Sequence, residues 1–278
     1  MIVAEGFGNT AQGCRALNLG RFTYYLTSQK SDISLLLEQE TISKSKDHPR
    51  YGYRRITAVV RRDGYLVNAK RTQRVRRIEG LQVKKKQRKM RRLGESTAER
   101  RRATRPGEVW SWDFVTDMTR SGYRFGMLTL IDEYTRQCLA IYPAWSIRAN
   151  DVIEVVTDGM KNYGQPEHLR SDNGPEFIAY AIKDWLADRN VKTIYISPGS
   201  PWEQAHIESF HDKFRDECLN SEFFESLAVA KVIDDQWRKE YNQQRPHSSL
   251  VYQTFDEFAA ICNRGFQSGY ALLRSPIA

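Results

Sequence analysis

The chain has 278 residues, 40% hydrophobic and 28% charged, with a formal net charge of +9, which is enough length for two folded units and one sizeable core. The charge is split: residues 1–105 carry 26 Lys and Arg against 9 Asp and Glu, and residues 106–278 carry 17 against 25, as expected of a polyanion-binding part joined to a part with another task. The absence of an 18-residue apolar run, of a basic-then-apolar leader, of any CxxC pair among the four cysteines and of histidines at zinc spacing argues against a membrane span, secretion, a disulfide framework and a zinc knuckle, and leaves a soluble cytoplasmic protein as the expectation.

In chain order, residues 11–26 read as a short helical unit, and 31–42 as an apolar-rich helix around Ile33, Leu35, Leu36 and Leu37. His48-Pro49-Arg50-Tyr51-Gly52 opens a second helix with Ile56, Val59 and Val60 at helical spacing, flanked by Arg54, Arg55, Arg61 and Arg62. After the Asp63-Gly64-Tyr65 turn, a third helix over about 68–79 is expected to face Val75 and Ile78 inward, and Lys70, Arg71, Arg74, Arg76 and Arg77 outward. Two basic helices joined by a Gly-containing turn match helix-turn-helix geometry, so Arg54, Arg55, Lys70, Arg71, Arg74 and Arg77 are candidate DNA contacts. Residues 84–105, beginning Lys84-Lys85-Lys86, have almost no apolar content and read as a basic linker able to lie along phosphates.

From residue 108 the pattern turns to strands. Val109–Met118 is strand one, Tyr123–Ile131 strand two and Gln137–Tyr142 strand three. A helix over about 149–163 follows, then strand four at His168–Asp172, a helix at Ala179–Arg189 and strand five at Val191–Ile196. A rigid Ser197-Pro198-Gly199-Ser200-Pro201 loop precedes a helix over about 202–219, and a last helix covers about 227–241. Three hairpin-connected strands followed by alternating helices and strands imply a mixed sheet with helices on its faces.

Three acids stand out. Asp113 lies mid-strand among aromatic neighbours, where a carboxylate is costly to bury unless paired or metal-bound. Asp172 closes strand four at the end where ligands bind in open α/β sheets, and Glu208 sits near the start of its helix, with 35 residues between it and Asp172. Each has a local explanation as well: an Asp facing water from an edge strand, an Asp-Asn-Gly turn, and a glutamate favoured at a helix N-terminus. Together, three acids at strand and helix ends can hold two divalent ions about 3.5–4 Å apart and clamp a phosphodiester. Arg215, seven residues past Glu208, supplies a cation two turns along the same face.

The run Trp110-Ser111-Trp112-Asp113, then Ser171-Asp172-Asn173-Gly174-Pro175-Glu176-Phe177, then Ser197-Pro198-Gly199 through Ile207-Glu208-Ser209-Phe210, resembles the DDE core of retroviral-integrase-like transposases. It is most similar to the catalytic OrfB product of the insertion-sequence family named after insertion sequence three. His48 to Leu81 is similar to that family's helix-turn-helix, and Tyr241-Asn242-Gln243-Gln244-Arg245-Pro246-His247-Ser248-Ser249-Leu250 to its C-terminal signature. Gln204-Ala205-His206 departs from the usual step before the glutamate, and Phe255 stands where proline is common.

The resemblance implies a ribonuclease-H-like α/β core at 106–225 after a helical DNA-binding region at 1–83 and the linker at 84–105, with a helical tail at 226–278. It implies metal-dependent 3′-end cleavage and strand transfer at insertion-sequence ends, with Asp113, Asp172 and Glu208 binding two Mg²⁺ or Mn²⁺ ions, and Asn173, Lys213 and Arg215 touching DNA. Double-stranded DNA is the implied partner, in a synaptic complex of several copies, with a programmed frameshift able to fuse the upstream reading-frame product. The alternatives are a non-catalytic DNA-binding regulator and a ribonuclease-H-type nuclease that cuts without joining.

Overall fold

The computed structural model describes residues 10–25, 31–83, 102–171, 176–195 and 205–267. The aromatic and β-branched run Val109–Met118 forms β1, the central strand of a five-stranded sheet of order β3-β2-β1-β4-β5. β2 (Arg124–Asp132) pairs antiparallel with β1 and with β3 (Cys138–Ala144). The short strands β4 (His168–Ser171) and β5 (Lys192–Tyr195) run parallel to β1. This is the mixed sheet expected from the strand and helix pattern, and the ribonuclease-H-like one that the family resemblance implies.

Strand alternation sends Trp110 and Trp112 to one face and Asp113 and Val115 to the other. On the first face, α6 (Ala149–Tyr163) and α7 (Glu176–Ala187) pack Val152, Val156, Ile182 and Leu186 against Trp110, Leu128 and Leu130. α6 lies so near the sheet that a Cβ on Gly159 would come within 3.2 Å of Leu130 and 3.3 Å of Trp110, so this position takes no larger residue without displacing side chains.

On the other face lie α8 (Ala205–Phe214), α9 (Leu227–Gln243) and α10 (Phe255–Gln267). Ile207, Phe210 and Phe214 share one core with Val115, Phe125, Met127, Trp237, Tyr241 and Phe255. The region expected as a tail thus closes one face of the sheet, and α10 is an element that the pattern reading did not anticipate. α8 passes directly into one turn of π-helix at Arg215–Leu219.

The N-terminal region holds α1 (Thr10–Ala16), α2 (Arg21–Tyr25), α3 (Asp32–Asp47), α4 (Tyr53–Arg62) and α5 (Ala69–Ile78). Leu37, Tyr51, Ile56, Val60 and Val67 form its core. Asn68 caps α5 by accepting the Arg71 N–H at 2.8 Å. Two expectations are corrected here. Ile78 is 73% exposed although Val75 is buried, and Arg76 is buried although it was expected outward. The Arg76 guanidinium donates to the carbonyls of Tyr51 and Leu81 at 2.5 and 2.6 Å, satisfying two acceptors at the bends that flank the helix pair.

The helical region is tied to the sheet region by ions. Glu217, in the π-turn, accepts from Arg245 Nε at 2.7 Å and Nη2 at 2.5 Å, and from Arg55 Nη1 at 3.3 Å. Arg245 is almost completely buried. Arg62 of α4 pairs with Glu257 of α10 at 2.7 Å and donates to the carbonyls of Gln244 and Tyr252. A bidentate carboxylate between two guanidiniums offsets desolvation that would otherwise cost several kcal/mol per ion.

Removing one member leaves buried charge without compensation, so Glu217→Ala is expected to destabilise the protein by about 3–5 kcal/mol in urea unfolding, whereas an exposed Glu222→Ala control changes little. A second expectation concerns Asp234, fully buried in α9. Burial, with the charge of Asp117 adding to it, pushes its carboxyl up to about 7. The folded protein therefore binds more protons than the unfolded chain between the ordinary carboxylate range and pH 7. Stability is greatest at the acid side of that window, falls as pH rises through it and levels off above. Unfolding free energies at pH 5 and pH 8 should fall in wild type and change much less in Asp234→Asn; equal slopes would contradict this assignment.

Candidate active site

Asp113 sits halfway along β1, half-buried, on the face that receives α8. Its Oδ1 accepts the Phe114 N–H at 2.7 Å, and its Oδ2 faces Nδ1 of His211 at 3.6 Å. Across the β1–β2 ladder Asp113 pairs with Thr129. The Thr129 hydroxyl donates to the Asp113 carbonyl at 2.9 Å and lies 2.8 Å from Nε2 of His211.

A hydroxyl has one hydrogen. With it given to the Asp113 carbonyl, His211 Nε2 must be the donor to Thr129 Oγ1, which leaves the Nδ1 lone pair directed at the Asp113 carboxylate. Burial, reinforced by the charge of Arg215, holds the His211 imidazole down at about 4, so it is neutral at physiological pH. The Asp113–His211 contact is therefore two acceptors facing one another and not an ion pair, an arrangement that a cation between them would satisfy.

Glu208 lies in the first turn of α8 and is exposed. It precedes His211 by three residues, and side chains at that spacing are neighbours on one helix face, with Cβ atoms about 5–6 Å apart. The contact between His211 and Asp113 thus brings the α8 face bearing Glu208 to Asp113. Arg215, at the start of the π-turn, is exposed and near enough to act on His211 electrostatically. Asp172 and Asn173 lie outside the described residues. β4 ends at Ser171, and its Arg170 pairs in register with Ser111, two residues before Asp113. Among the described residues no group of three or more His, Cys, Asp and Glu stands together as a metal cluster. The oxygen donors of Asp113 and Glu208 suit a hard cation such as Mg²⁺ or Mn²⁺.

Nearby acids have structural partners. Glu133 receives Arg170 at 3.0 Å through each oxygen and the Ser111 hydroxyl. Asp132 accepts the backbone N–H groups of Gly107, Tyr134 and Thr135. His211 and Thr129 were absent from the sequence reading. A histidine three residues after Glu208 was a usable signal; Thr129 needed the strand register.

The candidate DNA contacts divide. Arg54, Lys70, Arg74 and Arg77 are exposed, the last three at helical spacing on one side of α5. Arg55 is engaged by Glu217, and Arg71 donates to Ser34 and lies 3.8 Å from Glu38. Lys213 donates to the Ser209 carbonyl and hydroxyl, each at 2.6 Å. Lys84, Lys85 and Lys86 lie outside the described residues.

Known families match most of these segments. An integrase core domain matches residues 103–201 and again 189–254, and an HTH-like domain matches residues 40–89. The insertion element IS407 uncharacterized 31.7 kDa protein of Burkholderia multivorans is 35% identical over 252 residues, covering 90% of each chain. This chain belongs to the insertion-sequence transposases of the family named after insertion sequence three. Transposase InsF for insertion sequence IS3A of Escherichia coli is 23% identical over 263 residues, covering 84% of this chain and 88% of that relative. Among solved structures, the HTLV-2 integrase catalytic core domain in complex with magnesium aligns with a TM-score of 0.43 at 14% identity, over 57% of this chain and 99% of that one. The first integrase match spans Asp113 and Asp172, and the second spans Glu208, Arg215 and Arg245. Among the described residues, no helix is long and apolar enough to cross a membrane.

If Asp113 and Glu208 hold cations, Mn²⁺ should stabilise the folded protein by about 2.7 kcal/mol at 100 times its dissociation constant. In thermal unfolding with and without Mn²⁺, Asp113→Asn should lose that increment. His211→Ala should need about tenfold more metal to reach it. An undiminished increment in Asp113→Asn would exclude Asp113 as a ligand.

Proposed function

We propose that this transposase cleaves DNA at the ends of its insertion sequence and joins the freed 3′ ends to a target, using Asp113, Asp172 and Glu208 as one metal-binding site. The observation that carries the reading is the contact of His211 with Asp113, which places the Glu208 face of α8 against the central strand. Asp172 follows Ser171, the last residue of β4, directly in sequence. The open end of a sheet beside a change in strand direction is where α/β proteins bind ligands.

Two Mg²⁺ or Mn²⁺ ions, when bound, supply an activated oxygen nucleophile and stabilise the leaving oxygen. The chain's own residues do the rest. Asp113, Asp172 and Glu208 hold the ions, and neutral His211 presents its Nδ1 lone pair beside the Asp113 carboxylate without bringing a competing charge. Arg215 orients the phosphate from the same helix face, and Asn173 contacts DNA beside the cut. Water serves as nucleophile in cleavage and a DNA 3′-OH in joining, so one site performs both steps without a covalent protein intermediate.

The exposed stripe of Lys70, Arg74 and Arg77, with Arg54, is assigned to the DNA duplex through helix-turn-helix docking. Lys84, Lys85 and Lys86 of the basic linker extend that path along the phosphates. The same reading takes the chain to act as several copies in a synaptic complex, alone or fused to the upstream reading-frame product, in the bacterial cytoplasm at the nucleoid.

Asp113→Asn, Asp172→Asn and Glu208→Gln should each abolish Mg²⁺-dependent nicking and strand transfer on a duplex carrying the element end while binding that duplex as wild type does. Wild-type cleavage by any one of the three would remove that residue from the site.

A further inference from the structure

A second site lies on another flank of α8. A cleft of about 270 Å³ opens between α8, the turn joining β2 to β3 and the Arg245–Leu250 segment. Arg136, Lys213, His206 and Ser249 line it, buried aromatic rings of Phe210 and Tyr241 stand behind them, and among the described residues no carboxylate lines it. At 100° per residue, Lys213 and His206 lie roughly 140–160° around α8 from Glu208, so this cleft is separate from the face that bears Glu208, His211 and Arg215.

Its cations are poorly compensated. Arg136 is half-buried at a positive-φ position of 65°, and among the described residues its guanidinium makes no hydrogen bond or ion pair within the protein. Of the carboxylates that act on them through space, Glu133 is bound to Arg170, Glu217 to Arg245 and Arg55, and Asp132 to backbone N–H groups, while Asp212 is the neighbour of Lys213 in sequence. Burial, with the charges of Arg245 and Arg55 behind it, brings the Lys213 amine down to about 8. Burial likewise lowers Arg136, and Arg102, at the end of the basic linker, pushes in the same direction. Cations in one cleft with no carboxylate bound to them among the described residues are the complement of an anion.

We infer that this cleft seats a phosphate group of the DNA strand that runs past α8, held by Arg136 and Lys213 with hydrogen bonds from Ser249 and His206, at a position other than the scissile phosphate. The fork of Arg136 fits two phosphate oxygens, and the Lys213 amine retains donor capacity beyond its two bonds to Ser209. The inference rests on the transposase reading for the identity of the polyanion, although not for its catalytic step.

The test is binding of the full chain to a duplex carrying the element end, in EDTA, across a series of salt concentrations. Each phosphate contact contributes about 0.9 to the slope of log K against log salt. Arg136→Gln should lower that slope by about 1, Arg136→Lys should restore most of it, and Ser249→Glu, a change at an exposed position, should weaken binding further. Calorimetry with inorganic phosphate forms the second arm. An unchanged slope in both Arg136→Gln and Ser249→Glu overturns the assignment to DNA. If in that case phosphate still binds wild type and not Arg136→Gln, the cleft is a free-anion site; if phosphate does not bind either, the cleft is no anion site. Absence of duplex binding by wild type also overturns the proposal. Failure of the catalytic reading would appear separately, as absent nicking with Mg²⁺ and an intact salt slope.

Discussion

The interaction on which the remaining geometry depends is the carboxylate of Glu217 between the guanidiniums of Arg245 and Arg55. Glu217 stands in the π-turn that prolongs α8, Arg245 follows α9, and Arg55 belongs to α4. One carboxylate therefore joins the helix bearing Glu208, the C-terminal segment that closes the sheet, and the helical region bearing the exposed basic stripe. Charges this deeply placed favour one docking, because any other arrangement leaves an ion buried and unpaired. The π-turn contributes by adding a residue to the turn, which redirects the chain after Phe214 while Arg215 remains near His211.

From that anchor, α8 serves two flanks. One carries Glu208, His211 and Arg215 toward Asp113; the other carries His206 and Lys213 toward Arg136. The buried stripe Ile207, Phe210 and Phe214 sets the rotation of the helix against Val115, Phe125 and Met127. Hydrophobic packing thus determines where the polar side chains stand, and the hydrogen bonds of Thr129 to the Asp113 carbonyl and to His211 Nε2 define the local tautomer. The connection from Arg55 to Glu217 to α8 also gives a physical route by which the basic helical region is held in fixed relation to the site.

Much of this architecture was legible in the chain. β1 at Val109–Met118 and α6 at Ala149–Tyr163 stand where the aromatic run and the 3.6-residue apolar period place them, because both elements bury nearly everything their pattern advertises. α8 differs at its C-terminal end, where the single helix expected to about residue 219 passes into a π-turn after Phe214. The phase of α5 was misjudged at Ile78 and Arg76, since an arginine that satisfies two backbone carbonyls looks in sequence like any other surface cation. Arg55 reads as a DNA contact until Glu217, 162 positions away, is seen beside it. Pairings so remote leave no periodic trace, and neither does the Asp113–Thr129 register that locates His211.

The central claim is that the site around Asp113 and Glu208 joins DNA by direct in-line attack. The most direct measurement is the stereochemical course of strand transfer, with a phosphorothioate of defined configuration at the target phosphate and a pre-cut element end bearing a free 3′-OH. One displacement by that hydroxyl predicts inversion at phosphorus in the joined product. Retention, which requires a second displacement through a covalent intermediate, or the absence of any joined product with Mg²⁺ or Mn²⁺, would contradict it.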